Sequence, residues 1–149
     1  VTGTSGDDAL GGTGYRDLLR GMAGEDTLSG GDAADTLVGG AGDDRLQGQA
    51  GSDRYVWSQG EGADIVHDGA AGRTDMDRLV LSDLLPHEVV LYRTEGQDDL
   101  KIDVGDVVLR VYDHYRGDSA DRFGIELIEF ADGTVWTRDE IFARAFVLE

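Results

Sequence analysis

Aspartates stand at Asp8, Asp17, Asp26, Asp35, Asp44 and Asp53, nine residues apart every time. Carboxylates repeated at one spacing offer a single chemistry above others, the binding of hard cations through oxygen. Two residues after each comes an apolar side chain, Leu10, Leu19, Leu28, Leu37, Leu46 and finally Tyr55. Glycines open the units at Gly3, Gly12, Gly21, Gly30, Gly39 and Gly48. The stretch "GGAGDDRLQ", Gly39 to Gln47, shows the pattern at its fullest. Glycine costs backbone entropy and adjacent carboxylates repel, so a chain that keeps both must gain something that offsets them.

The elements that position these carboxylates follow from the period. Each nonapeptide reads as a turn, where glycine permits positive φ, followed by a very short strand whose apolar residue points inward. One unit alone buries almost nothing. Stacking two nonapeptides per coil buries the leucine column, with strands on two faces and turns along two edges. Turns eighteen residues apart then lie one strand spacing apart, about 4.7–4.9 Å, and their aspartates form a ladder of like charge. A divalent cation between successive turns resolves the repulsion. Carboxylate and carbonyl oxygens at about 2.3–2.6 Å suit calcium's six to eight ligands, whereas magnesium demands a smaller octahedral shell and keeps its waters. A disordered Gly/Asp-rich linker, the competing reading, has no need of a periodic leucine.

At these residues the sequence resembles the repeats-in-toxin (RTX) family, whose nonapeptide G-G-x-G-x-D-x-U-x is matched by "GGAGDDRLQ" at every specified position. The resemblance extends over residues 3 to 56. It implies a parallel β-roll in which the sixth-position aspartate and loop carbonyls bind calcium between alternate repeats. Repeats one, three and five keep glycine at the first and fourth positions and share one edge, so firm sites are expected between Asp8 and Asp26 and between Asp26 and Asp44. On the other edge Tyr15 and Ala33 hold the fourth position, where a side chain penalises positive φ, while Gly51 restores glycine. A moderate site is therefore expected between Asp35 and Asp53, and a weak or empty one between Asp17 and Asp35.

Past Tyr55 the frame loosens without vanishing. "YVWSQGEGADIV" reads as a strand over Arg54 to Ser58 and a further calcium turn, with Asp64 stacked on Asp44. "GRTDMDRLVL" repeats the logic, with Asp77 closing the Asp53 edge and Asp68 and Asp75 as extra candidates. About four to six calcium ions are expected in all. From Leu79 onward "EVVLYR", "DLKIDV", "DVVLRVYD" and "IELIEF" alternate with period two, the pattern of antiparallel strands with one buried face. "EGQDD", "VGD" and "ADGT" supply hairpin turns. Residues Thr137 to Phe146 read as a short helix with Thr137 as N-cap and Glu140 as its capping-box partner. The expected architecture is all-β: a parallel β-roll over 1–78, then an antiparallel β-rich cap over 79–149 that covers the exposed end of the stack. The segments "DDLKIDV", "VYDHYR" and "IELIEFADGTVW" are similar to the flanking region that follows the last repeats in RTX proteins.

Composition narrows the partners. A net charge of −18 argues against nucleic acid and anionic membrane surfaces, and the absence of cysteine excludes disulfides and thiolate metal sites. The start "VTGTSGDD" has neither basic nor apolar signal-peptide character, and a start without Met suggests a fragment of a longer polypeptide. His67, His87 and His114 form no metal-ligand spacing, and the Gly-x-Gly motifs are explained by the repeat, so no catalytic site is expected. The sequence thus reads as a calcium-binding module that is expanded at low cytosolic calcium and folds on extracellular calcium. The RTX resemblance implies bacterial type I secretion, with the secretion machinery and the rest of the parent polypeptide, a toxin or other exported protein, as partners. The alternative is a calcium-stabilised module that binds a glycan or host surface, with Trp57, Trp136, Tyr92, Tyr112 and Tyr115 as a platform; packing is the competing use of these aromatics.

Overall fold

A computed structural model describes residues 1–69, 74–112 and 124–149. His114 and Tyr115 lie outside the described residues. Strands β1 (Ala9–Gly11), β2 (Leu18–Ala23), β3 (Thr27–Gly31), β4 (Thr36–Ala41), β5 (Arg45–Gln49) and β6 (Arg54–Trp57) fall one to a nonapeptide. They are followed by β7 (Ile65–Val66), β8 (Arg78–Leu81), β9 (Val90–Thr94), β10 (Leu100–Asp103), β11 (Val108–Val111), β12 (Leu127–Phe130), β13 (Val135–Thr137), α1 (Arg138–Arg144) and β14 (Phe146–Leu148).

Odd and even repeats segregate. One sheet runs β1-β3-β5-β7-β11-β10-β9-β14 and the other β13-β12-β8-β6-β4-β2. Every pairing within the repeats is parallel, the topology of a β-roll. Register is pinned by the inward residues: Leu10, Leu28, Leu46, Val66 and Val111 form one column, and Leu19, Leu37, Tyr55, Leu79 and Ile128 the other. A slip of one residue would turn each column to solvent, so the apolar period fixes the stacking. The longer segments before Val66, Leu79 and Ile128 leave this register intact.

The C-terminal region contains the expected antiparallel pairs, β9 with β10, β10 with β11 and β12 with β13. It joins the roll through parallel pairs, β11 on β7 and β12 on β8, so both columns continue into it. The core is continuous as well, with Trp57, Leu81, Leu100, Ile102, Ile125 and Ile141 buried in one cluster. The helix begins as expected, with the Glu140 N–H bonded to Thr137 Oγ1 and the Thr137 N–H to Glu140 Oε2 (2.9 Å). It stops at Arg144, short of Phe146. The backbone beyond pairs in parallel with β9, and the Phe146 ring stacks on Tyr92 at 5.9 Å, a contact that helical continuation would lose.

Candidate metal centres along the two edges

The turns stack as the spacing predicts, and from the second coil onward each ladder carboxylate is tied to the turn before it. On the odd edge the Asp8 N–H donates to Asp26 Oδ1 (2.8 Å), the Asp26 N–H to Asp44 Oδ1 (2.7 Å) and the Asp44 N–H to Asp64 Oδ1 (3.1 Å). On the even edge the Asp17 N–H donates to Asp35 (2.7 Å), Asp35 to Asp53 (2.8 Å) and Asp53 to Asp77 (2.8 Å). All eight sequence-predicted aspartates thus lie in two ladders. Asp75 is half-buried and outside both.

From Asp26 onward Oδ1 is used in this way, and the fate of Oδ2 along the series separates two kinds of loop. Asp26, Asp35, Asp44, Asp53 and Asp64 are nearly inaccessible, and their Oδ2 atoms are buried without a hydrogen-bond partner. Their loops, from the third repeat to the sixth, take positive φ at the second and fourth positions: Met22 at 91°, Gly31 at 109°, Gly40 at 105° and Gln49 at 75°, then Gly24 at 113°, Ala33 at 75°, Gly42 at 129° and Gly51 at 123°. In the first coil Thr4, Gly6, Thr13 and Tyr15 avoid that region. There the Thr4 N–H and Oγ1 bind Asp8 Oδ2 (2.6 and 2.9 Å), and Thr13 does the same to Asp17 Oδ2 (2.6 and 2.8 Å). A threonine hydroxyl beside its own turn's carboxylate closes these two loops on themselves.

Buried carboxylate oxygens without partners are costly, and the cost appears in their protonation. Burial first, then the neighbouring aspartates of the ladder, pushes Asp44 and Asp53 up to about 6 and Asp64 up to about 8, against the backbone N–H bonds that pull them down. Asp35 is raised for the same reasons. Burial and the charge of Asp77 drive Asp68 far above the carboxylate range, and Asp77 is itself raised.

Open space borders the odd-edge carboxylates. A cavity of about 290 Å³ on the odd edge is lined by Glu25, Asp26, Asp43, Asp44 and Ala63 among others. The loops approach so closely that a Cβ at Gly42 would collide with the carbonyl oxygen of Gly24, and one at Gly62 with that of Gly42. A Cβ at Gly21 would meet both Asp26 Oδ2 and the Gly39 carbonyl oxygen, so a carbonyl oxygen and an orphaned carboxylate oxygen border one space, a donor set that fits calcium. A calcium ion held there would supply the missing partner for each Oδ2 and cancel the repulsion along the ladder.

Two acidic residues were not assigned to the ladders from the sequence. Glu126, buried to 2% exposure, accepts the Asp77 N–H (2.8 Å) and is met by Arg138 of α1 (3.2 Å). Its signal was present: Glu126 stands two residues before Ile128, as Asp77 stands before Leu79. Asp68, taken only as an extra candidate, lies with Asp53 and Asp77 so that one oxygen of each falls within 4.8 Å of the others. Trp57 and Trp136 are buried and present no surface platform. Tyr92 and Tyr112 are half-buried.

Residues 2–36 and 29–56 match the model of the RTX calcium-binding nonapeptide repeat, and residues 99–140 match that of the haemolysin-type calcium binding protein related domain. No curated protein is significantly similar to the chain. The repeat is a calcium-binding module rather than a catalytic one and is typical of secreted proteins. No helix among the described residues is long and apolar enough to cross a membrane.

Proposed function

From the premise that the chain belongs to the RTX calcium-binding nonapeptide-repeat family, we propose that it is a calcium-triggered folding module of a larger exported protein. The observation that carries this reading is the pair of carboxylate ladders with buried, unpartnered Oδ2 atoms at Asp26, Asp35, Asp44, Asp53 and Asp64. Without cations, a chain of net charge −18 stacks these groups against self-repulsion and loses the backbone freedom of its glycines. The expanded state is favoured, and an expanded chain suits passage through a secretion channel. Calcium changes the sign of the balance. Each ion placed between turns bridges two ladder carboxylates, so binding and coil formation become one step. Extracellular calcium modules work at about 10⁻⁴–10⁻³ M, which places the switch outside the cell.

In this reading residues 1–78 carry the calcium-responsive coils and residues 79–149 cap them, and Asp26, Asp35, Asp44, Asp53, Asp64 and Asp77 are ligands. Asp8 and Asp17 join them where calcium displaces the threonine bonds. Export by a type I machinery is supported by the family alone. The test is a calcium titration of the chelator-treated chain, followed by far-UV circular dichroism with magnesium as control. A cooperative gain of β signal with calcium alone is expected. A chain fully folded in chelator and indifferent to calcium would overturn the proposal.

A further inference from the structure

The even edge contains a cluster that the nonapeptide pattern does not supply. Val66 pairs with Leu46, and continuing that register places Asp68 opposite Gly48, the first-position glycine of the sixth repeat. At Gly48 a Cβ would collide with Asp53 Oδ2 and the Tyr55 hydroxyl, so this position borders the space beside the ladder carboxylate. In the next turn a third carboxylate occupies the corresponding place. Tyr55, standing in the column where its predecessors are leucines, anchors it: the buried hydroxyl donates to Asp68 Oδ2 (2.8 Å) and accepts the Gly48 N–H (2.8 Å). That leaves Asp68 Oδ1 buried and without a partner, as is Asp53 Oδ2. Among the described residues none of the three carboxylates is paired with an arginine or lysine.

We propose that Asp53, Asp68 and Asp77 form a cation site of a second kind, for a divalent ion of calcium's class, held by three carboxylates instead of by stacked repeat loops. The inference rests on the reading of the roll as a calcium-binding module. Two ligands of one calcium ion stand at most about 4.6–5.2 Å apart, twice the metal–oxygen distance, and the three oxygens lie within 4.8 Å of one another. Three buried carboxylates converge here, against two, Asp26 and Asp44, at the odd-edge cavity, where Glu25 and Asp43 are exposed, and calcium affinity rises with ligand charge. This site fills first. Because its ligands come from the turns that lead into β6 and β8 and from the end of β7, its ion ties both sheets together at the junction with the C-terminal region. Tyr55 is a positioning residue: it aims Asp68 and does not touch the ion.

The experiment is calorimetric titration of calcium into the chelator-treated full chain, comparing wild type, Asp68→Asn and Asp44→Asn. Asparagine keeps an acceptor for the Tyr55 hydroxyl while removing the charge. The expected result is that Asp68→Asn loses one ion from the tightest class, or weakens it at least roughly tenfold, while the other ions titrate as before. Asp44→Asn does the reverse, losing odd-edge ions and keeping the tightest. Identical titrations of wild type and Asp68→Asn overturn the proposal, as does uniform weakening of every site, which would make Asp68 a structural residue only. Should Asp68→Asn fail to fold, Tyr55→Phe carries the test: the number of ions stays and the tightest class weakens, and an unchanged tightest class overturns the proposal. A wild-type chain that binds no calcium removes the module reading itself, an outcome separate from these.

Discussion

The two edges of the roll are built by the same rule and end differently. On the odd edge the ladder runs Asp8, Asp26, Asp44, Asp64 and stops at a carboxylate whose Oδ2 is buried and unpartnered. On the even edge it runs from Asp17 through Asp35, Asp53 and Asp77 to Glu126, and Glu126 is met by the guanidinium of Arg138. Over the first three rungs of each edge the residue before the ladder aspartate differs too. It is Asp7, Glu25 and Asp43 on the odd edge but Arg16, Ala34 and Ser52 on the even one. The odd edge therefore concentrates negative charge and leaves it for an ion. The even edge has fewer flanking acids, holds its charge at Asp53, Asp68 and Asp77, and hands its last carboxylate to an arginine of the C-terminal helix. The odd edge is thus acidic along most of its length, whereas the even edge gathers its charge at one buried cluster and ends on a side-chain ion pair.

The largest way to break this contrast is to change the protonation of both edges at once. The folded-state values of Asp44 and Asp53, about 6, and of Asp64, about 8, lie above the roughly 3.9 of an unfolded aspartate. The metal-free folded chain thus binds more protons than the unfolded one. Its stability from these groups is fully present below about pH 4 and is lost as pH rises through about 6 and then about 8. Chelator-treated protein should therefore gain thermal stability on acidification from pH 9 to pH 5. The gain conferred by calcium should shrink over the same interval, because protons compete for the same oxygens. Melting curves with and without calcium across that range check both signs.

Breaking one edge comes next. Arg138→Ala takes the guanidinium away from the buried Glu126 carboxylate, which keeps the Asp77 N–H, and loss of one partner from such a pair costs about 3 kcal/mol, at the lower end of the usual range because Arg138 is partly exposed. The loss should appear in urea unfolding with and without calcium alike, and Glu126→Gln in the same background should recover part of it. Asp44→Ala strikes the odd edge instead. It leaves the Asp26 N–H without an acceptor, worth about 1–3 kcal/mol, and this penalty should be joined by a loss of calcium response that Arg138→Ala does not cause. Circular dichroism at fixed calcium separates the two variants. The smallest effect is expected at Ala33, whose φ of 75° strains a non-glycine residue on the even edge. Ala33→Gly should stabilise the calcium-loaded roll by up to about 1 kcal/mol, read from the shift in urea midpoint.

The roll was legible because one nine-residue period fixes turn, strand and ladder together. Even its irregular continuation followed, since Asp64 before Val66 and Asp77 before Leu79 repeat the acid-then-apolar frame. The same frame at Glu126 and Ile128 went unread, because the acid is a glutamate and strands β9 to β11 of the other sheet come between it and Leu79. Nor did local spacing reveal how the first coil closes: Thr4 and Thr13 matter only through a hydroxyl that reaches back to Asp8 and Asp17. The early end of α1 depends on where β9 lies, a tertiary fact that no capping signal at Thr137 contains. What the sequence pattern misses in each case is a contact between segments distant along the chain or a choice between two conformations of one loop.

The direction of the ladder hydrogen bonds has a consequence for how such an array grows. In every rung the amide belongs to the earlier aspartate and the carboxylate to a later residue. A coil duplicated on the N-terminal side brings new amides to carboxylates already in place and leaves every later rung untouched. On the C-terminal side each new coil takes over the role of final acceptor, and some acidic side chain must always close the series. Length is thus cheap to vary at one end and constrained at the other, so that Glu126 with Arg138 acts as a fixed terminus for an even edge of any number of turns.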